Sequence, residues 1–171
     1  MSDHRVLVVF FSRTGTTRML ASTLARMLSA DLEEICDLAE RRGPFAYLRC
    51  LVDSWRKRPA EIVPAGLDAA QYDLVVVGTP VWAGSASAPV RAYLLENRSK
   101  FRQVAFFCSF GGLGSQAAFA EMRALAGKAP VAQCNVRAAE VRRGAVGALL
   151  VLFVSALKRH LADHEALEWT C

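Results

Sequence analysis

Residues 5–30 read RVLVVFFSRTGTTRMLASTLARMLSA, and three patterns follow one another within them. Arg5 to Phe11 is an unbroken apolar run rich in valine and phenylalanine. Such a run is expected of a parallel strand covered by helices on both faces, because both of its sides must then be apolar. From Leu20 the period changes: Leu20, Leu24, Met27 and Leu28 fall at i, i+4, i+7 and i+8, one face of a helix. Between them lies Ser12–Thr17, which is polar and contains Gly15. A buried strand, a polar turn and an amphipathic helix make the first half of a βαβ unit.

The same alternation continues along the chain. Strands are predicted at Asp31–Asp37, Tyr72–Gly78, Gln103–Ser109 and Val131–Val141. The last alternates, with Ala132, Cys134, Val136 and Ala138 on one side and Gln133, Asn135 and Arg137 on the other, as at a sheet edge. Helices are predicted at Phe45–Lys57, Pro89–Asn97 and Gln116–Ala126, followed by an apolar helix running to about His160. Phe119, Met122 and Leu125 have helical spacing, and Ser87 is placed to cap the helix that opens at Pro89. Strand followed by helix five times over implies an α/β fold, a doubly wound parallel sheet with helices on both faces. The length of 171 residues fits one domain, spanning 1–171.

Composition narrows the class. Apolar residues make up 53% and charged residues 22%, which excludes a disordered or collagen-like chain. Cys36, Cys50, Cys108, Cys134 and Cys171 are odd in number and never spaced Cys-x-x-Cys, so free thiols in a reducing, cytoplasmic setting are expected. Met1 to Arg5 leads straight into the first strand, and no signal peptide is expected. Ala145–Leu157 is an apolar run of 13 residues, whereas a membrane span needs about 20; it reads as a buried helix. Arginines and Lys158 flank it, which leaves a surface contact with a membrane open, and an exposed apolar face there would suit a homodimer.

The net charge of +5 is concentrated in one segment, where Arg41, Arg42, Arg49, Arg56, Lys57 and Arg58 face only Glu40 and Asp53. No helix-turn-helix, RNA-recognition or zinc-finger pattern accompanies it, so nucleic acid is not the expected partner. His160 and His164 are four apart, but Asp163 and Glu165 beside them read as a solvated helix end, and no metal site is expected. His4, His160 and His164 all lie near the termini, so no catalytic acid, base or nucleophile is assigned.

In an open parallel sheet, ligands bind beyond the carboxyl ends of the strands, where the strand order reverses. Three junctions qualify: Ser12–Thr17, Thr79–Ser87 and Ser109–Ser115. The first carries four hydroxyls and Gly15 at a helix N-terminus, a place where uncapped amides and the helix dipole attract anions. It lacks the lysine and glycine spacing of a nucleoside-triphosphate loop and the Gly-x-Gly-x-x-Gly of a dinucleotide fold, and so suits a terminal monophosphate. The second offers the planar face of Trp82 among the small residues Ala83, Gly84 and Ala86. The third holds Gly111, Gly112 and Gly114, which leave backbone amides accessible to the polar edge of a ring.

On these residues the chain resembles the flavodoxin-like family of FMN-binding proteins, in particular short-chain flavodoxins. Ser12-x-Thr-Gly-x-Thr17 is similar to the family's phosphate loop. Tyr72-Asp-Leu-Val-Val-Val-Gly-Thr-Pro-Val-Trp82 is similar to its third strand and first flavin loop, and Phe106–Ser115 to its fourth strand and second flavin loop. The resemblance implies five strands in the order 2-1-3-4-5 and FMN as cofactor. It implies that Ser12, Arg13, Thr14, Gly15, Thr16 and Thr17 hold the phosphate. Thr79, Pro80, Val81, Trp82, Ala83 and Gly84 would line the isoalloxazine, and Ser109, Phe110, Gly111 and Gly112 would meet the ring edge. It further implies electron transfer or NAD(P)H-dependent reduction, with a redox partner protein or a small acceptor such as a quinone. Electron-shuttling flavodoxins are commonly acidic, and a basic chain departs from that. The alternative is a flavin-free binding module on the same fold, using the basic segment 41–58.

Overall fold

A computed structural model describes residues 4–38 and 60–168 of the protein. The helix expected at Phe45–Lys57 and the basic segment 41–58 lie outside the described residues, as do Cys50 and Cys171. The elements in chain order are β1 (Val6–Phe10), α1 (Thr16–Leu28), β2 (Asp31–Glu34), β3 (Leu74–Trp82), β4 (Ser85–Ala86) and α2 (Ala88–Asn97). They continue with β5 (Val104–Phe110), α3 (Ser115–Ala126), β6 (Gln133–Arg137), α4 (Ala138–Arg142) and α5 (Gly147–Glu168).

Five strands pair in parallel in the order β2-β1-β3-β5-β6, and the two-residue β4 pairs antiparallel with β3 alone. Counted among the parallel strands, this is the 2-1-3-4-5 order that the sequence resemblance implies. The continuous apolar runs have a direct cause, since alternate residues of each central strand enter different cores. Leu7, Val9, Val75, Val77 and Phe106 pack under α2 and α3 with Val90, Tyr93, Phe119 and Met122. Val8, Phe10, Val76 and Phe107 pack under α1 and α5 with Leu20, Leu24, Phe153 and Leu157. A polar residue at any of these strand positions would be buried on one side or the other.

Several boundaries differ from expectation, each for a physical reason. β2 stops at Glu34 instead of Asp37, because the backbone turns away to bond another segment: Val63 N–H donates to the Cys36 carbonyl (2.9 Å) and Leu38 N–H to the Glu61 carbonyl (3.0 Å). β6 stops at Arg137, whose N–H donates to Glu140 Oε2 (3.4 Å) as the short helix α4 begins. Ser87 does sit at the N-cap of α2, but its hydroxyl makes no capping bond and faces Thr79 Oγ1 instead (3.2 Å). The apolar run Ala145–Leu157 is not buried all round. Leu150, Phe153, Val154 and Leu157 face the core, while Leu149, Val151 and Leu152 are exposed. No described helix is long and apolar enough to cross a membrane.

The described cysteines are free thiols: Cys36 is exposed, Cys108 and Cys134 are buried. Burial pushes the Cys108 thiol up to about 12 and the Cys134 thiol up to about 11. The thiolate is the reactive form. Iodoacetamide near pH 8, read by peptide mass mapping, should therefore label Cys36 and leave Cys108 and Cys134 unmodified until the protein unfolds. Labelling of Cys108 in the folded protein at the rate of Cys36 would contradict this packing.

Candidate functional site

The carboxyl ends of β1, β3, β5 and β6 open onto one cleft of about 480 Å³. That volume lies within the ~300–1,000 Å³ usual for small-molecule and cofactor sites. All three polar junctions read from the sequence reach it, together with the start of α4.

The hydroxyl turn enters first. Gly15 occupies the N-cap of α1 with φ 91°, a left-handed conformation that glycine adopts without strain, and no side chain caps the helix there. The turn is shaped from within by Gly15 N–H donating to Ser12 Oγ (3.1 Å). Thr14 and Thr16 line the cleft with their hydroxyl oxygens 3.5 Å apart. The first turn of α1 carries no acidic residue. This leaves the helix N-terminus with hydroxyl donors and the positive end of its dipole, and with no carboxylate in its first turn to repel an anion. Thr17 does different work, because its hydroxyl lies 2.8 Å from Ser109 Oγ and both are buried. That bond ties the hydroxyl turn to the glycine-rich loop.

The tryptophan segment is a β-hairpin and not the open loop expected from the sequence. β3 runs on through Thr79, Pro80, Val81 and Trp82, turns at Ala83 (φ 50°) and Gly84 (φ 74°), and returns as β4. Two consecutive left-handed residues make the tight turn whose twist matches a hairpin. Pro80, Val81, Trp82 and Ala83 line the cleft. Trp82 is half-buried and meets Phe11 edge-on, with ring centroids 6.1 Å apart at 87°. Thr79 is fully buried below the lining; its hydroxyl donates to the Pro80 carbonyl (2.9 Å) and accepts from Ser87 N–H (3.0 Å). From behind, Glu121 of α3 accepts from Ser85 Oγ (2.9 Å) and Ala86 N–H (3.0 Å). The buried guanidinium of Arg91 donates to the Ala86 carbonyl (3.3 Å) and stands 3.9 Å from Glu121.

The glycine-rich loop closes the cleft. Ser109, Phe110, Gly111 and Gly112 line it, with open space where a side chain on Gly111 or Gly112 would stand. Gly114 packs against the hairpin tip so closely that a Cβ there would lie 2.5 Å from Gly84 Cα. The second and third loops thus form one connected wall.

Ten of the residues singled out in the sequence therefore share the cleft surface, while Ser12, Arg13, Gly15, Thr17, Thr79 and Gly84 are not on its lining and include those that shape or tie the loops. Sequence reasoning missed Leu113, Ala138 and Arg142, which also line it. Leu113 was within reach, as the next residue of a loop already identified. Ala138 and Arg142 were hidden because 131–141 reads as one strand, whereas the chain leaves the sheet at Arg137 and turns helical over the rim. Arg142 is the one ionisable side chain among the described lining residues, and no carboxylate, histidine or cysteine joins it. The described lining can bind and orient a ligand, but among the described residues it holds no carboxylate, imidazole or thiol to transfer a proton.

No protein-family model matches the chain, and a search of curated proteins finds no match. Solved structures do match. A flavoprotein from Lactobacillus acidophilus NCFM, crystallised in complex with FMN, is 21% identical with a TM-score of 0.69, over 82% of this chain and 97% of that one. A flavodoxin from the domain Archaea is 15% identical with a TM-score of 0.51, over 90% and 99%. An NADH:FMN oxidoreductase in its apo form is 14% identical with a TM-score of 0.54, over 91% and 87%. Sheet order, crossing helices and a cleft at the carboxyl edge define a doubly wound α/β fold. Its fold is flavodoxin-like.

Proposed function

We propose that the protein is an FMN flavoprotein acting in electron transfer or NAD(P)H-dependent reduction. The observation that supports this most is the convergence of three chemically distinct loops on one cleft. A hydroxyl-lined helix N-terminus free of carboxylates fits a phosphate. The Trp82 ring on a braced hairpin fits a flat aromatic system. The side-chain-free surface at Gly111 and Gly112 fits the polar edge of such a ring, since its amides are not screened. FMN carries these three features in one molecule, and the fold is shared with a flavoprotein crystallised with FMN.

In this reading Thr14, Thr16 and the first amides of α1 hold the phosphate, and Arg142 adds a cation at the rim. Trp82 packs on the flavin, and Phe110 to Gly112 bound its far edge. FMN, when bound, supplies the redox chemistry, while the chain excludes water and tunes the cofactor through its surroundings. Among the described residues the lining offers no side-chain acid, and in this reading protons reach the cofactor from solvent or substrate. The cleft is open, which suits a donor such as NAD(P)H and an acceptor such as a quinone or a redox protein reaching the cofactor directly.

The test is a visible spectrum of the purified protein, with FMN released on denaturation in a one-to-one ratio. A colourless protein that fails to bind added FMN would sink the proposal and leave a flavin-free binding module. Steady-state NAD(P)H oxidation with a quinone acceptor then separates a reductase from a carrier. Trp82→Ala should weaken FMN binding about five- to tenfold, from lost stacking and lost contact area, measured by fluorescence titration. Unchanged affinity would mean that Trp82 packs on Phe11 alone.

A further inference from the structure

The exposed side of α5 calls for a partner. Leu149, Val151 and Leu152 are 38%, 52% and 69% exposed, and Ala148 and Ala156 are exposed beside them. The opposite side of the same turns, at Leu150, Phe153 and Val154, is buried in the core, so this stretch of helix is apolar on all sides. Basic residues bracket it. Arg142 and Arg143 precede the patch, Lys158 and Arg159 follow it, and all four are exposed. Residues 147–162 contain no acidic side chain. On α1, which packs into the same core layer, Met19 and Arg26 are also exposed.

We propose that the outer face of α4 and the N-terminal half of α5 is a docking surface for an anionic phospholipid bilayer, on which the protein lies without spanning it. An apolar strip rimmed by Lys and Arg is the arrangement that seats a helix in the headgroup region. There the apolar side chains enter the acyl boundary and the cations meet lipid phosphates. The length of α5 agrees, since the helix is too polar beyond Leu157 to cross.

Charge and size both disfavour a second copy of this chain as the occupant. A two-fold pairing through this strip, parallel or antiparallel, would bring the bracketing residues of one copy against those of the other. All four (Arg142, Arg143, Lys158 and Arg159) are basic, so like charges would oppose at both ends. Ten residues of helix present a strip only ~15 Å long and ~10 Å wide. A stable protein interface needs about 800 Å² per partner. A bilayer meets the strip with negative charge at both ends and demands no shape complementarity. Docking on this side would hold the cleft rim close to the membrane, because Arg142 belongs to both surfaces.

The experiment is vesicle co-sedimentation of the full chain, using phosphatidylcholine vesicles and mixed phosphatidylcholine–phosphatidylglycerol vesicles. Binding is expected on the mixed vesicles, about tenfold weaker on phosphatidylcholine alone, and reduced as salt rises. Leu152→Ser and, separately, the Lys158→Gln/Arg159→Gln double variant should each weaken binding about tenfold. These side chains are exposed, so circular dichroism and urea midpoints should stay unchanged and certify folding. The proposal is overturned if the mixed vesicles do not bind the protein, or if Leu152→Ser binds like wild type. It is equally overturned if sedimentation equilibrium shows a dimer that Leu152→Ser dissociates. None of these readouts depends on a flavin.

Discussion

Replacing Glu121 with alanine should lower the unfolding free energy by about 3 kcal/mol and loosen the wall of the cleft. Glu121 is only 11% exposed and accepts two hydrogen bonds from the hairpin, from Ser85 Oγ and Ala86 N–H, at 2.9 and 3.0 Å. Hydrogen bonds to a buried charged group contribute more than neutral ones, about 1.5–3 kcal/mol each, and their loss strands the donors. Alanine also withdraws a negative charge from beside Arg91, which is 2% exposed. Glutamine keeps an oxygen for the hairpin and removes only the charge, so Glu121→Gln should cost less, about 1–2 kcal/mol. Urea unfolding of the three proteins should rank wild type above glutamine above alanine. If glutamine falls as far as alanine, the charge beside Arg91 carries the effect and the hydrogen bonds do not. If alanine unfolds at the wild-type midpoint, the brace is dispensable. The hairpin carries Trp82, so FMN affinity should fall with the alanine variant as well, through positioning and not through contact.

That brace had no signature in the sequence, and the contrast with what was legible is instructive. β1, β3 and β5 are buried on both faces, so their apolar runs announce them without reference to neighbours. The cleft loops were legible for a related reason, since chemistry in such a sheet collects at the carboxyl ends of the strands. The hairpin was not, because Gly78-Thr79-Pro80 reads as the end of a strand and proline is a poor guest in a sheet interior. The structure resolves the conflict. β1 pairs with β3 only as far as Gly78, and β4 takes up pairing only at Val81, so neither strand demands an N–H of Pro80. The apolar face of α5 misled in the opposite sense. Hydrophobicity shows that a helix can be buried all round, but only the neighbours decide, and the core meets α5 along one side alone.

The substitution with the severest steric consequence is Gly78→Ala. Gly78 lies in the middle of β3, paired with Phe10 on one side and Phe107 on the other. A Cβ built there would sit 2.0 Å from Phe107 Cζ, with two further ring carbons at 2.4 and 2.5 Å. The ring of Phe107 therefore lies flat over the glycine, occupying the volume that any other residue would need. Phe107 is fully buried among Phe10, Val76 and Val136, so it has no solvent to swing into. Overpacking a core of this kind costs about 1–3 kcal/mol, and the sheet centre, with backbone paired on both sides, lies at the severe end of that range. The ring can yield only by shifting β5, and β5 carries Ser109 and Phe110 straight into the cleft. Gly78→Ala should accordingly lower the unfolding free energy, read from urea unfolding, by about 3 kcal/mol and weaken FMN binding in the same variant. Adding Phe107→Leu provides the missing space. The double variant should regain part of the lost stability, giving a favourable coupling energy of about 1 kcal/mol or more between the two positions. Strict additivity of the two single changes would show that alanine at 78 is tolerated without displacing the ring.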